Sequence, residues 1–313
     1  MRVVQFTEYG PPSVVHVAEV EEPHAGPGQI RIAVRASGIS AGEVHVRSGV
    51  WRDVLPTTFP CRTGVDAAGV VDEVGEGVTG VAVGDEVFGM TDLATRSANA
   101  DHAVLAVWAP KPAAWSWAEA GAITGGAETS TRVLDLLGVG DGDTVLVQGA
   151  AGATGTIAVQ FAAARGATVI GTGSAHNHDF LRSLGVVPTT YGPGLVDRVR
   201  ALAPNGVDAV FDCARGALPD LIAIAGDPKH VVTIADFAAA EHGVHLSHTA
   251  GGDDTPVGGR DPMALHGLGV AIELAGQGRL RIPIAAAFPL ADVAAAHELS
   301  ESPHAPGRIV LVN

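Results

Sequence analysis

Residues 143–165 read DTVLVQGAAGATGTIAVQFAAAR, and this stretch constrains the chain more than any other. Thr144-Val145-Leu146-Val147 is short, apolar and β-branched, as a strand buried on both faces of a parallel sheet would be. Gly149, Gly152 and Gly155 follow at G-x-x-G-x-x-G spacing. Ile157, Ala158, Phe161 and Ala162 then recur at helical spacing. Strand, glycine turn and helix together predict a cradle for a dinucleotide diphosphate: the backbone can approach closely, and the helix start offers N–H groups and positive dipole. The expected binding residues are Gly149, Ala151, Gly152, Ala153, Thr154 and Gly155. With 41 glycines in the chain such spacing arises by chance, so its position at the head of a strand–helix alternation carries the argument.

That alternation runs on to about residue 248. Strands are expected over 167–171, 187–191, 207–212, 229–234 and 244–247, with helices over 179–184 and 195–203. The pattern predicts a doubly wound parallel sheet. Before it, residues 1 to about 110 read as β-rich. Ile30, Ile32 and Val34 alternate with Arg31 and Arg35, and glycine turns join the runs 69–75 and 83–89, as in a partly open barrel or sandwich. Residues 117–124 and 129–137 look helical, 249–259 reads as an exposed loop, and 263–277 and 291–299 as helices before a closing strand over 308–312.

Composition excludes several classes. A formal net charge of −15 argues against a nucleic-acid or anionic-membrane surface. Two cysteines, Cys61 and Cys213, make no disulfide framework and no cysteine-based zinc lobe. The first residues lack a signal-peptide apolar stretch, and no apolar run reaches membrane-spanning length uninterrupted. A soluble cytoplasmic protein is expected.

Ala36–Val44, Gly64–Gly75, Val83–Gly89, Gly149–Gly155 and Gly307–Val312 together resemble the medium-chain dehydrogenase/reductase superfamily, in its zinc-free quinone oxidoreductase branch. The resemblance covers nearly the whole chain. It implies a GroES-like catalytic domain from 1–120 and 249–313, a Rossmann domain over 121–248, and a nicotinamide coenzyme in the crevice. Where zinc-dependent relatives carry ligands, this chain has Ser40 and Val65, which cannot form a zinc site, so no metal is expected.

No carboxylate ends the second Rossmann strand, where an NAD enzyme would hold the ribose 2′-hydroxyl. That absence permits NADP(H), and the resemblance, to a branch that prefers NADPH, implies Ser174, His178 and Tyr191 around the 2′-phosphate, with Gly173 also at the coenzyme. His178 takes the place of the branch's lysine. By the same resemblance Ser40, Trp51 and Thr129 line the catalytic site. Glu43 is either a carboxylate acting through water or a surface carboxylate or ion-pair partner, and Asp66 is a site group or a structural acceptor. Glu128 stands where relatives carry leucine. Without a metal to polarise a simple ketone, the expected substrate is a quinone or α,β-unsaturated carbonyl, which spreads the incoming charge by conjugation. An enoyl reductase of a biosynthetic pathway and a non-catalytic NADPH-binding protein are the alternatives. The sixth strand, 244–247, offers an edge for a homodimer.

Overall fold

The computed structural model describes residues 1–93, 95–249, 259–302 and 307–313. The chain forms two compact units: Met1–Gly125 with Ala271–Gly278 and Ile282–Asn313, and Gly126–Val270 with Arg279–Arg281.

The first unit begins with β1 (Arg2–Phe6), β2 (His16–Glu19), β3 (Ile30–Ile39), α1 (Ala41–Ser48), β4 (Cys61–Arg62), β5 (Asp66–Val74), β6 (Glu86–Thr91), β7 (His102–Pro110) and α2 (Trp117–Ala120). Strands β3, β5, β6 and β7 follow one another in a sheet, and β7 also pairs with β3, so they close a small barrel. Ile30, Ile32 and Val34 turn inward against Val71, Val87, Ala103 and Leu105, which is the alternation the sequence shows.

Helix α3 (Thr124–Leu136) leads into the parallel unit, with β8 (Thr144–Gln148), α4 (Gly155–Ala164), β9 (Thr168–Thr172), α5 (His178–Ser183), β10 (Val187–Thr189), α6 (Leu195–Leu202), β11 (Ala209–Asp212), α7 (Leu218–Ala225), β12 (Val231–Thr233), β13 (His245–Leu246) and α8 (Gly267–Gly276). All six strands are parallel, in the order β10-β9-β8-β11-β12-β13. Leu146, Ile170, Val210 and Val231 pack with Val199, Leu218 and Leu221 in its core. Coverage on both faces explains why Val145, Leu146 and Val147 form a continuous apolar run instead of alternating.

The chain then returns to the first unit with β14 (Ile284–Pro289), α9 (Val293–Glu301) and β15 (Arg308–Val312). β15 pairs with β3, placing Val310 opposite Gly38, so the last strand of the sequence joins a sheet begun by residues 30–39.

The compact units change at Gly125/Gly126 and Val270/Ala271, where the expected domains change at 120/121 and 248/249, and Asp261 and Ala264 bond to Ser247 and Glu128 of the parallel unit. Several elements carry weak signals. α1 has the β-like alternation Val44, Val46, yet Ser40 caps its start and Gly49 ends it at φ +76°, and those local bonds favour helix. The Ala-rich β14 and the short β1 and β4 lack β-branched runs long enough to announce them. The loop expected over 249–259 lies, apart from its first and last residues, outside the described residues. Among the described residues no helix is long and apolar enough to cross a membrane.

Candidate functional site

β8 delivers the chain into the glycine turn at Gln148. Gly149 sits at φ +76°, which a side chain would resist. Its N–H donates to Thr172 Oγ1 at 2.9 Å, and that hydroxyl donates to Gln148 Oε1 at 2.6 Å. Gly152 N–H closes the turn on the Gly149 carbonyl at 3.0 Å. A Cβ on Gly155 would lie 2.2 Å from that same carbonyl oxygen, so only glycine fits. The N–H groups of Ala151, Ala153, Thr154 and Gly155 donate to no acceptor among the described residues, and Thr154 gives α4 no side-chain cap. Helix starts normally satisfy such groups. Free N–H groups at a helix start are the kind that can hold an anion such as a dinucleotide diphosphate.

Five neighbouring strands end in a buried polar residue. Thr189 lies beside Thr172, Gln148 beside Asp212, and Asp212 beside Thr233. Asp212 accepts from Thr233 Oγ1 at 2.7 Å and Ala214 N–H at 3.0 Å. Burial pushes its carboxyl up to about 6; the two hydrogen bonds oppose this and Asp236 adds to it. Sequence reasoning missed Asp212, whose only signal is an acid closing an apolar strand.

Past β9, Gly173 N–H donates to the Thr189 carbonyl at 3.0 Å, which sets Ser174 beside the end of β10. The imidazole that meets Ser174 is His176, with Nε2 3.2 Å from Ser174 Oγ, and Asn177 Nδ2 donates to the same hydroxyl at 3.2 Å. His178 instead turns Nε2 into the protein, where that atom has no hydrogen-bond partner. Tyr191 is 57% exposed. Ser174 and Tyr191 thus follow adjacent strands, and His176, not His178, lies against Ser174.

In the first unit, Ser40 Oγ accepts from Glu43 N–H at 3.1 Å, which leaves its hydroxyl proton to donate elsewhere. Trp51 packs on His45, ring centroids 4.9 Å apart, and its ring would meet a Cβ on Gly42 at 3.4 Å. Glu43 takes the ion-pair alternative, with His297 as its partner, and not the role of a carboxylate acting through water. It is buried, with Oε2 accepting from Gly64 N–H and Oε1 meeting Asn99 Nδ2 and His297 Nε2. Asp66 resolves to the structural reading: it accepts from Gly125 N–H and Arg308 Nη2, all at 3.0 Å. Burial pulls the Arg308 guanidinium below its ordinary range, with Asp66 pushing back.

On α3, Glu128 and Arg132 form a buried ion pair, Nε to Oε1 2.8 Å. Arg132 also reaches Ser247 Oγ, Ser247 donates to Asp261 at 2.6 Å, and Ala264 N–H donates to Glu128 at 3.2 Å. Thr129 Oγ1 lies 3.2 Å from Glu128 Oε2 and donates to it. The same hydroxyl accepts from Arg132 Nη2 at 3.4 Å, so its proton is committed to Glu128 and it meets a further partner only through its remaining lone pair.

Among the described residues no group of three or more His, Cys, Asp or Glu could hold a metal ion. Ser40 caps α1, and Glu43 is enclosed by donors from the protein itself.

Comparison with known proteins gives a consistent picture. The alcohol dehydrogenase GroES-like domain model matches residues 26–133, and the zinc-binding dehydrogenase model matches residues 189–311. The spectinabilin polyketide synthase system protein NorB of Streptomyces orinoci is 36% identical over 198 residues, covering 62% of this chain and 9% of that protein. The chain spans half or less of the curated relatives it matches. Among solved structures, the quinone oxidoreductase of Coxiella burnetii is 26% identical at a TM-score of 0.83, covering 100% of this chain and 99% of that one. An NAD-dependent alcohol dehydrogenase is 28% identical at a TM-score of 0.83, covering 100% of both chains.

Proposed function

The chain belongs to the medium-chain dehydrogenase/reductase superfamily, and from that premise we propose that it is a metal-independent reductase that passes hydride from NADPH to a quinone or α,β-unsaturated carbonyl. The observation that carries the reading is the set of four unpaired N–H groups on the Gly149–Gly155 turn, beside a strand end that carries Ser174 in place of an acid. A carboxylate there would repel a 2′-phosphate; a hydroxyl flanked by His176 and Asn177 does not. When bound, the reduced nicotinamide supplies the hydride. The protein's part is to orient, to exclude water and to donate a proton or hydrogen bond to the acceptor oxygen. Ser40 has that proton to give, whereas Thr129 is the acceptor suited to a carboxamide N–H. A conjugated acceptor needs no stronger polarisation than a hydroxyl, which agrees with Ser40 and Val65 standing where zinc-dependent relatives carry ligands.

The polyketide synthase relative supports a second reading, reduction of a conjugated carbonyl in a biosynthetic intermediate. We also propose a homodimer, with the edge strand β13 pairing across a two-fold axis. NADPH oxidation followed with benzoquinones, naphthoquinones, simple enones and enoyl thioesters tests the function. Turnover unaffected by chelator is the expected result. Tight NADPH binding with no acceptor turned over would instead make this a coenzyme-binding protein without catalysis, and a clear NADH preference would remove the 2′-phosphate assignment.

A further inference from the structure

Asp212 is a buried acid that hydride transfer does not use. It closes β11 where the strand order reverses, between β8 and β11, and its register partner across that gap is Gln148. Cys213 N–H donates to the Gln148 carbonyl at 3.0 Å. The glycine turn departs from the same residue, and a Cβ on Gly149 would come within 3.3 Å of Ala214 Cβ and 3.6 Å of Cys213 Cβ. The segment that carries Asp212 therefore packs directly against the turn.

The partners of this carboxylate are neutral donors, the Thr233 hydroxyl and the Ala214 N–H. The charge that bears on it is a second acid, Asp236, which caps the Gly216 and Ala238 N–H groups. The Cys213 thiol, held well above its ordinary range by burial and by Asp212, offers no cation, and Arg215 is exposed. Burial has already brought this carboxyl to about 6. A diphosphate on the turn would add negative charge beside the segment that carries this acid, whose described partners include no cation, and such an acid responds by protonating.

We propose that Asp212 takes up a proton from solvent when a dinucleotide diphosphate occupies the Gly149–Gly155 turn, so that coenzyme binding and protonation of this side chain are one coupled equilibrium. The inference rests on the turn being the diphosphate site. Its sign is fixed: the bound state holds more protons, so affinity falls as pH rises above the free titration, by at most about tenfold per pH unit for one proton.

Isothermal titration of NADP⁺ at pH 7 in two buffers of different ionisation enthalpy measures the proton directly. The wild type should show fractional uptake and a Kd that rises at least about threefold between pH 6 and 8 beyond the change seen in Asp212→Asn, whose uptake is lost. Titration of the ligand phosphate and of histidines is common to both proteins and cancels. Asp236→Asn, which removes the like charge, should move the wild-type profile to lower pH, and it carries the test should Asp212→Asn fail to fold. Equal uptake in wild type and Asp212→Asn, or an unmoved profile in Asp236→Asn, overturns the proposal. Absence of NADP⁺ binding overturns it together with the coenzyme reading. Linked binding without turnover of any acceptor overturns the reductase reading alone.

Discussion

Glu43 Oε1 and His297 Nε2 lie 3.1 Å apart although 254 residues separate them, and both side chains are buried. The pair ties α1 to α9, and the same carboxylate holds Asn99 and the Gly64 N–H. Glu43→Ala would strand three donors away from water. At about 1–3 kcal/mol for each unsatisfied buried group, we expect a loss of more than about 3 kcal/mol in urea unfolding. Glu43→Gln keeps one acceptor and should lose about half as much.

The Glu128–Arg132 pair invites a different experiment. Arg132→Met leaves a buried carboxylate without its cation and should cost about 3–5 kcal/mol. Replacing both with leucine removes two desolvated charges at once but strands the Ala264 N–H, so it should cost less than the single change, about 1–3 kcal/mol. Denaturant midpoints of the three proteins would check this; equal losses in single and double variants would contradict it.

Gly155 and Gly152 separate folding from binding. Gly155→Ala forces a Cβ to 2.2 Å from the Gly149 carbonyl and 2.8 Å from Ala150 Cα. It should destabilise by about 1–3 kcal/mol and weaken NADP⁺ binding. At Gly152 the nearest atom to a Cβ is the same carbonyl at 3.3 Å. Gly152→Ala should therefore keep its melting temperature within a few degrees while losing about tenfold or more in NADP⁺ affinity. Unchanged affinity would place the diphosphate elsewhere.

Asp212 also gives folding stability a pH dependence. Its folded carboxyl is raised to about 6, above the unfolded value, so the folded state binds more protons in between. Its contribution is fully present below the unfolded pKa, near 4, and is lost as pH rises through about 6, a swing of about 3 kcal/mol. Asp212→Asn should flatten the stability difference between pH 4 and pH 7 by that order, read from urea midpoints at each pH.

Ser174 offers a direct test of coenzyme choice. Ser174→Asp puts a carboxylate at the end of β9 and should lower NADPH affinity by more than about tenfold while leaving NADH affinity nearly unchanged or improved. Equal loss for both coenzymes would move the 2′-phosphate away from this strand end.

The sequence by itself determined what short-range pattern controls. The apolar run 144–147, the glycines at 149, 152 and 155 and the helical spacing after them specify strand, turn and helix within two dozen residues, and the parallel sheet follows from the repetition of that unit. The alternation at Ile30, Ile32 and Val34 announced the barrel in the same way. Tertiary structure decided what each polar side chain meets. Glu43 reads as a surface charge, an ion-pair partner or a group acting through water until α9 brings His297 onto it. Glu128 looks out of place until Arg132, Ser247 and Asp261 assemble around it. Neighbouring histidines on one turn part company, His176 to Ser174 and His178 into the interior. Backbone geometry is set by neighbours a few residues away, whereas burial and charge pairing depend on groups hundreds of residues distant, which no local pattern encodes.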